Sequence, residues 1–266
     1  MTLELKKFDM TSIPDGKVIV FIGKRETGKS FLVRDLLYYH QDIPVGCVIS
    51  GTEGSNSFYS KIMPSIFIHN QFTDKTINNY IKRQKKVVKL QKDNSNVDPR
   101  AFLILDDCLY DPSWTKNTDI RALFMNGRHF KSTFILTMQY ALGIPPSLRT
   151  NIDYIFILRE NIQANRKRLY EQYAGMFHTL EVFNQVMDQC TENFECVVIN
   201  NNSKSNKLED QVFWYKADSH SYFKIGHPTL WKYHQDNYNP NHDDSDDENF
   251  TISRKRRGPK INVKKV

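Results

Sequence analysis

The run Gly23-Lys24-Arg25-Glu26-Thr27-Gly28-Lys29-Ser30 constrains this chain more than any other feature. It fits G-x-x-x-x-G-K-[ST], a loop whose backbone N–H groups wrap around phosphate oxygens. Just before it, Val18-Ile19-Val20-Phe21-Ile22 is a β-branched and aromatic run that reads as a buried strand. Just after it, Phe31-Leu32-Val33-Arg34-Asp35-Leu36-Leu37-Tyr38 has helical apolar spacing. Strand, glycine loop and helix is the context that such a loop requires.

The residue types follow from the chemistry. Gly23 and Gly28 let the backbone approach the phosphates and adopt positive φ. Lys24, Arg25, Glu26, Thr27 and Phe31 are expected to complete the cradle, and the start of the following helix adds a favourable dipole. Lys29 is the cation that reaches the β and γ phosphates of ATP. Ser30 offers its hydroxyl to Mg²⁺.

From Lys17 to Tyr233 short apolar runs alternate with helical stretches. Strands are expected at Lys17–Ile22, Gly46–Ser50, Ser65–His69, Ala101–Asp106, Ser132–Met138, Asp153–Leu158, Glu195–Ile199 and Gln211–Tyr215. Helices are expected at Lys29–His40, Asp74–Leu90, Asn117–Asn126, Gln163–Tyr173 and Leu180–Thr191. The alternation argues for an α/β fold, a mostly parallel central sheet flanked by helices. Lys92–Pro99 reads as an exposed polar loop. Residues 1–236 are taken as one domain, and 237–266 as a disordered tail, acidic and then basic.

Ala101-Phe102-Leu103-Ile104-Leu105-Asp106-Asp107 is an apolar strand that ends in two carboxylates. Asp106 is assigned to Mg²⁺ and Asp107 to orienting and deprotonating an attacking water. An Asp-rich turn closing a strand is the plainer alternative. A third strand, Ser132–Met138, ends at Gln139. If it runs parallel to the Asp106 strand, Gln139 emerges at the same edge, where an amide can orient water or sense a γ-phosphate. Asn126-Gly127 suggests a helix C-cap, after which Arg128 projects from a loop. Arg128 and its rival Arg149 are candidates for an arginine inserted in trans into a neighbouring subunit's site. A solvated charge or a salt-bridge partner is the alternative for both.

Hydrophobic residues make up 39% and aromatics 12%, a globular composition. The longest apolar runs, about five residues, fall far short of the ~20 needed to cross a bilayer. The amino end, with Glu4 and Asp9, has no apolar signal region, so the chain is expected to be intracellular. Cys47, Cys108, Cys190 and Cys196 form no C-x-x-C pair and read as reduced thiols. The net charge of +7 suits a polyanionic partner. Basic clusters at Lys82-Arg83-Gln84-Lys85-Lys86, with Lys89 and Lys92, and at Arg166-Lys167-Arg168 are candidates for phosphate-backbone contacts, against a plain solvated face.

The phosphate loop, Leu105-Asp106-Asp107-Cys108, Asn126-Gly127-Arg128-His129 and a strand ending Met138-Gln139-Tyr140 occur in that order. In this the chain resembles the genome-packaging ATPases of large nucleocytoplasmic DNA viruses, the poxvirus-type members of the FtsK/HerA superfamily. The resemblance spans roughly Ile13 to Tyr215 and is most specific from Ala101 to Asp153. It implies a RecA-like P-loop NTPase, working as a homo-oligomeric ring that drives double-stranded DNA into a capsid without sequence preference. It implies action inside the infected host cell, in a cytoplasmic virus factory or the nucleus, with virion association and a capsid protein as a further partner. Gln139 matches the family's polar sensor; Asp107 stands where many members have Glu.

Two rivals remain at this level. A nucleoside or nucleotide kinase would use Arg159, Arg166 and Arg168, near Tyr170 and Tyr173, as a lid over the phosphates. A nucleotide-gated scaffold would bind ATP and hardly turn it over.

Overall fold

A computed structural model describes residues 3–93, 96–108 and 112–238. The strands are β1 (Val18–Ile22), β2 (Gly46–Ser50), β3 (Ile68–His69), β4 (Ala101–Asp106), β5 (Ser132–Met138), β6 (Tyr154–Ile157), β7 (Glu195–Asn200) and β8 (Val212–Lys216). The helices are α1 (Lys29–Tyr39), α2 (Glu53–Asn56), α3 (Asp74–Asp93), α4 (Thr118–Asn126), α5 (Pro146–Arg149), α6 (Gln163–Tyr173), α7 (Leu180–Cys190) and α8 (Pro228–Asn237).

The strands make one sheet in the order β3-β2-β4-β5-β1-β6-β7-β8. β1 to β6 are parallel, and β7 and β8 continue the sheet antiparallel. Every residue of β1, β2, β4, β5 and β6 is buried. That is why these strands read as unbroken apolar runs rather than alternating ones: a parallel sheet is covered on both faces. On one face lie α3, α4, α6 and α7, packed through Ile77, Phe124, Leu169 and Phe183. The other face holds α1 through Leu32 and Leu36, with Phe8 and Met10 from the amino end and Phe223 and Ile225 from the stretch before α8. Each such fully buried side chain contributes about 1.5–3 kcal/mol. The β8 edge is closed by the amino-terminal segment: Phe8 N–H donates to the Trp214 carbonyl at 2.8 Å, and Trp214 N–H to Lys6 at 3.1 Å.

The parallel direction decides where chemistry can occur. β1, β4 and β5 all end at the same edge, with Ile22 beside Met138 and Asp106 beside Thr137. The loops leaving those ends meet there, the position at which open α/β sheets bind ligands.

The structure corrects several expectations. Ser65–Phe67 is a 3₁₀ turn, closed by Phe67 N–H on the Pro64 carbonyl at 3.1 Å, so only Ile68 and His69 pair with β2. α4 ends at Asn126 as expected, with Gly127 as its C-cap donating its N–H to the Leu123 carbonyl, but Gly127 is right-handed at φ −51 and continues into a 3₁₀ turn, so the left-handed reversal falls at Lys131, φ 53. α3 runs to Asp93, shortening the expected polar loop. α2, α5 and α8 went unpredicted; the first two are single turns, and α8 buries none of its residues, so it carries no apolar stripe to detect. Asn237, expected to begin the tail, closes α8. Residues 239–266, with the acidic run and Arg254–Arg257, lie outside the described residues.

Candidate nucleotide-binding site

The glycine loop joins β1 to α1. Gly23 sits so close to the end of β6 that a Cβ there would stand 2.8 Å from Leu158 Cβ and 2.7 Å from Thr27 Oγ1. Gly28 has φ 104, a left-handed conformation that a side chain would strain. It forms the N-cap of α1 without a capping side chain. The first N–H groups of a helix have no intrahelical partner, so α1 presents unsatisfied donors and the positive end of its dipole to the loop. Glu26, φ 63, adds a second left-handed residue to the turn. An uncapped helix start behind a loop with glycine at both ends, Gly23 for close approach and Gly28 for its left-handed φ, is a donor set for phosphate.

Lys29 is buried, and its Nζ donates to the Gly23 carbonyl at 2.7 Å and the Lys24 carbonyl at 3.0 Å. The same Nζ lies 3.5 Å from Asp107 Oδ2. Gln139 Nε2 donates to that oxygen at 3.3 Å. Two residues far apart in sequence, Lys29 and Gln139, thus converge on the carboxylate of a third. Asp107 reaches it through a left-handed backbone, φ 47, which Asp tolerates better than most residues.

Asp106 is the more enclosed of the pair. Its Oδ1 accepts from Thr137 Oγ1 at 2.6 Å, and its Oδ2 from the Tyr59 hydroxyl at 2.9 Å. Burial pushes its carboxyl above the usual range, and the two hydroxyls partly oppose that shift. Thr137 Oγ1 also accepts the Asp107 N–H at 3.0 Å, so one hydroxyl orients both acids. Tyr59 is fixed from behind: the buried Glu53 carboxylate accepts from the N–H groups of Phe58, Tyr59 and Ser60 at 3.1, 3.0 and 2.8 Å. Burial, and then the Asp106 charge, raise the Tyr59 hydroxyl well above its ordinary value, so it stays a donor.

Ser30 stands at the start of α1, and Phe31 beside it is 65% exposed, its ring edge-on to Phe58 at 6.2 Å. Lys24 turns outward to Glu160, with Nζ 2.7 Å from Oε1. Burial works against the Glu160 charge. Its bonds from Lys24, the Ile162 N–H and Asn165 outweigh burial and hold the carboxyl below the usual range. Arg25 and Thr27 complete the loop, Thr27 Oγ1 donating to the Lys24 carbonyl at 2.7 Å.

The two arginines lie elsewhere. Arg128 precedes β5, so it sits at the amino-terminal edge of the sheet, its Cα close to Gly16 below β1 and across the sheet from its own loop. Arg149 ends α5, stacks on Tyr173 at 5.6 Å and donates to the Gln172 carbonyl at 3.5 Å. Neither joins Lys29 and Asp107. The proposed lid does not hold together. Arg166 is buried, bound to the Glu160 carbonyl at 2.5 Å and to Asp188 at 2.7 Å, and Arg168 donates to the Tyr140 hydroxyl at 2.5 Å. The basic face of α3 does reach solvent, with Lys82, Lys85, Lys86, Lys89 and Lys92 exposed.

Sequence reasoning missed Tyr59, Glu53, Thr137 and Glu160. Thr137 did carry a signal, a hydroxyl near the end of a buried strand just after the apolar run Phe134-Ile135-Leu136, which has to find a partner. Burial raises the Cys47 and Cys108 thiols to about 12. Among the described residues no helix is long and apolar enough to cross a membrane.

No protein-family model matches the chain. Among solved structures it is similar to the genome packaging NTPase B204 from Sulfolobus turreted icosahedral virus 2 in complex with sulfate. The TM-score is 0.55 at 16% identity, over 77% of this chain and 98% of that one. It is also similar to the pCW3 conjugation coupling protein TcpA, with TM-score 0.51 at 12% identity, over 82% of this chain and 62% of that one. By fold and by its phosphate loop the chain has the P-loop NTPase architecture of these proteins. Protein L437 of Acanthamoeba polyphaga mimivirus is 41% identical across 89% of this chain and 85% of its own length. Protein 075L of Invertebrate iridescent virus 6 is 42% identical across 76% of this chain and 78% of its own. The chain belongs to the family that these large-DNA-virus proteins form, and the resemblance drawn from its motifs is borne out.

Proposed function

We propose that the chain hydrolyses ATP and uses the energy to move viral double-stranded DNA into a capsid. The convergence of Lys29, Asp107 and Gln139 at the end of the glycine loop carries this reading. The uncapped start of α1 and the loop hold the phosphates, with Lys29 at the β and γ positions. The donors fit Mg²⁺: the Ser30 hydroxyl and the Asp106 carboxylate are hard oxygens, few in number, as this ion uses when phosphates complete its shell. The metal, when bound, neutralises charge that develops on the γ-phosphate. Asp107 takes a proton from the water that attacks phosphorus, Gln139 orients that water, and ADP leaves. Likeness to B204, named a genome packaging NTPase and also solved with AMPPCP, supports the assignment.

The kinase reading loses support because Arg166 is buried and committed to Asp188 and Glu160. A DNA-moving ring needs a group that acts between subunits. Arg128, placed across the sheet from its own loop, suits such a role better than Arg149, whose guanidinium is stacked on Tyr173. The exposed lysines of α3 suit phosphate-backbone contacts without sequence preference. Work inside the infected cell follows from this reading. The test is ATP hydrolysis with and without duplex DNA at low and high salt. DNA should stimulate turnover, and rising salt should suppress the stimulation steeply. Turnover indifferent to DNA in assembled protein would refute the packaging role.

A further inference from the structure

The turn between α7 and β7 brings an aromatic ring onto the phosphate loop. Phe194 is 66% exposed, an unusual setting for so large an apolar side chain. Its ring Cδ1 lies 3.5 Å from the point where a Cβ on Gly28 would stand, and Leu158 Cδ2 lies 3.9 Å from the same point. The backbone holds it there at a cost. Asn193 has φ 49 and Phe194 φ 66, two consecutive left-handed residues; for a bulky side chain that is a real outlier. The turn is closed by the Glu195 N–H on the Glu192 carbonyl at 2.8 Å.

Sheet order fixes what this ring can meet. Asp106, Asp107 and Gln139 leave β4 and β5, on one side of β1. β7 runs antiparallel to β6 on the other side, so its amino end, with Phe194, returns to the same sheet edge on the opposite flank of the loop. A triphosphate with its γ end at Asp107 and Gln139 must let its nucleoside leave away from the carboxylates. The exposed Phe31 does not offer this, because it packs on Phe58, next to Tyr59 and hence on the Asp106 flank.

We propose that Phe194 is the surface on which the nucleobase stacks, with Leu158 as its apolar floor. This rests on the nucleotide reading of the loop. A ring that offers only its π face accepts any base, so the site holds purine and pyrimidine triphosphates, with purines favoured by their larger area.

The test compares two probes on the full chain by titration calorimetry with Mg²⁺: ATP, and inorganic tripolyphosphate, which has no base. Phe194→Ala should weaken ATP about 5-fold to about 150-fold, the range for loss of one stacked base, and leave tripolyphosphate unchanged. Phe194→Trp should restore ATP binding, which a merely misfolded turn would not allow. Phe31→Ala is the comparator and should change the ATP-to-tripolyphosphate ratio little. Equal weakening of both probes by Phe194→Ala, or a base-dependent loss at Phe31 in place of Phe194, overturns the proposal. If wild-type protein binds neither probe, the nucleotide reading itself fails, and that outcome is distinct.

Discussion

Replacing Tyr59 with Phe tests how the buried Asp106 is kept charged. The substitution removes one oxygen and leaves the ring, which is 1% exposed, in place, so no cavity forms. It deletes the 2.9 Å bond to Asp106 Oδ2 and leaves the 2.6 Å bond from Thr137 on Oδ1. A hydrogen bond to an ionised group is worth about 1.5–3 kcal/mol, and one to a neutral group about 0.5–1.5 kcal/mol. With Thr137 still in place the cost should lie near the lower bound, about 1.5–2 kcal/mol. At about 2–4 °C per kcal/mol, Tm should fall by roughly 3–8 °C. The same change in an Asp106→Asn background should cost far less, because the charge that made the bond strong is gone. The double-mutant cycle should therefore give a coupling of about 0.5–1 kcal/mol by denaturant unfolding without nucleotide. Additive effects, with coupling under about 0.3 kcal/mol, would refute the claim that Tyr59 acts through the Asp106 charge.

Other consequences are open to measurement. Glu160 is held below its ordinary value of about 4.3, so its ion pair with Lys24 stabilises above that pH and the benefit is lost as pH falls through the lowered folded value. The Tm gap between wild type and Glu160→Gln should thus be present at neutral pH and close below about pH 4; a gap that widens on acidification would contradict the assignment. For Arg128, mixing an Arg128→Ala chain into wild-type protein should lower turnover more than dilution does, whereas Arg149→Ala should not poison the mixture; the reverse order would exchange their roles. Lys29→Ala should abolish ATP binding while leaving the fold intact by circular dichroism, and retained binding would remove the loop from the account.

How much of this was legible in the sequence depended on distance along the chain. The glycine loop is local: strand, turn and helix are contiguous, and each half predicts the other. Asp106, Asp107 and Gln139 were legible because each closes an apolar strand, and parallel strands deliver their ends to one edge. The register that sets Thr137 beside Asp106 arises only when β4 and β5 pair. Tyr59 reaches Asp106 through a loop shaped by the Glu53 carboxylate, and no periodicity announces it. Phe194 carries no motif or spacing of its own in the sequence; only antiparallel return of β7 carries it to Gly28. The kinase alternative drew on arginine spacing, and it lost support because spacing cannot say that the Arg166 side chain points inward to Asp188.

Hydrolysis at this site turns on Asp107. Orthophosphate release from ATP should be measured with Mg²⁺ and no phosphoryl acceptor, for wild type and for Asp107→Asn, alongside ATP affinity for both. Wild type should release phosphate, and the variant should bind ATP comparably while turnover falls by about 100-fold or more, the scale of a lost general base. Phosphate release that survives Asp107→Asn at the wild-type rate, or that appears only as transfer to an added nucleoside, would contradict it.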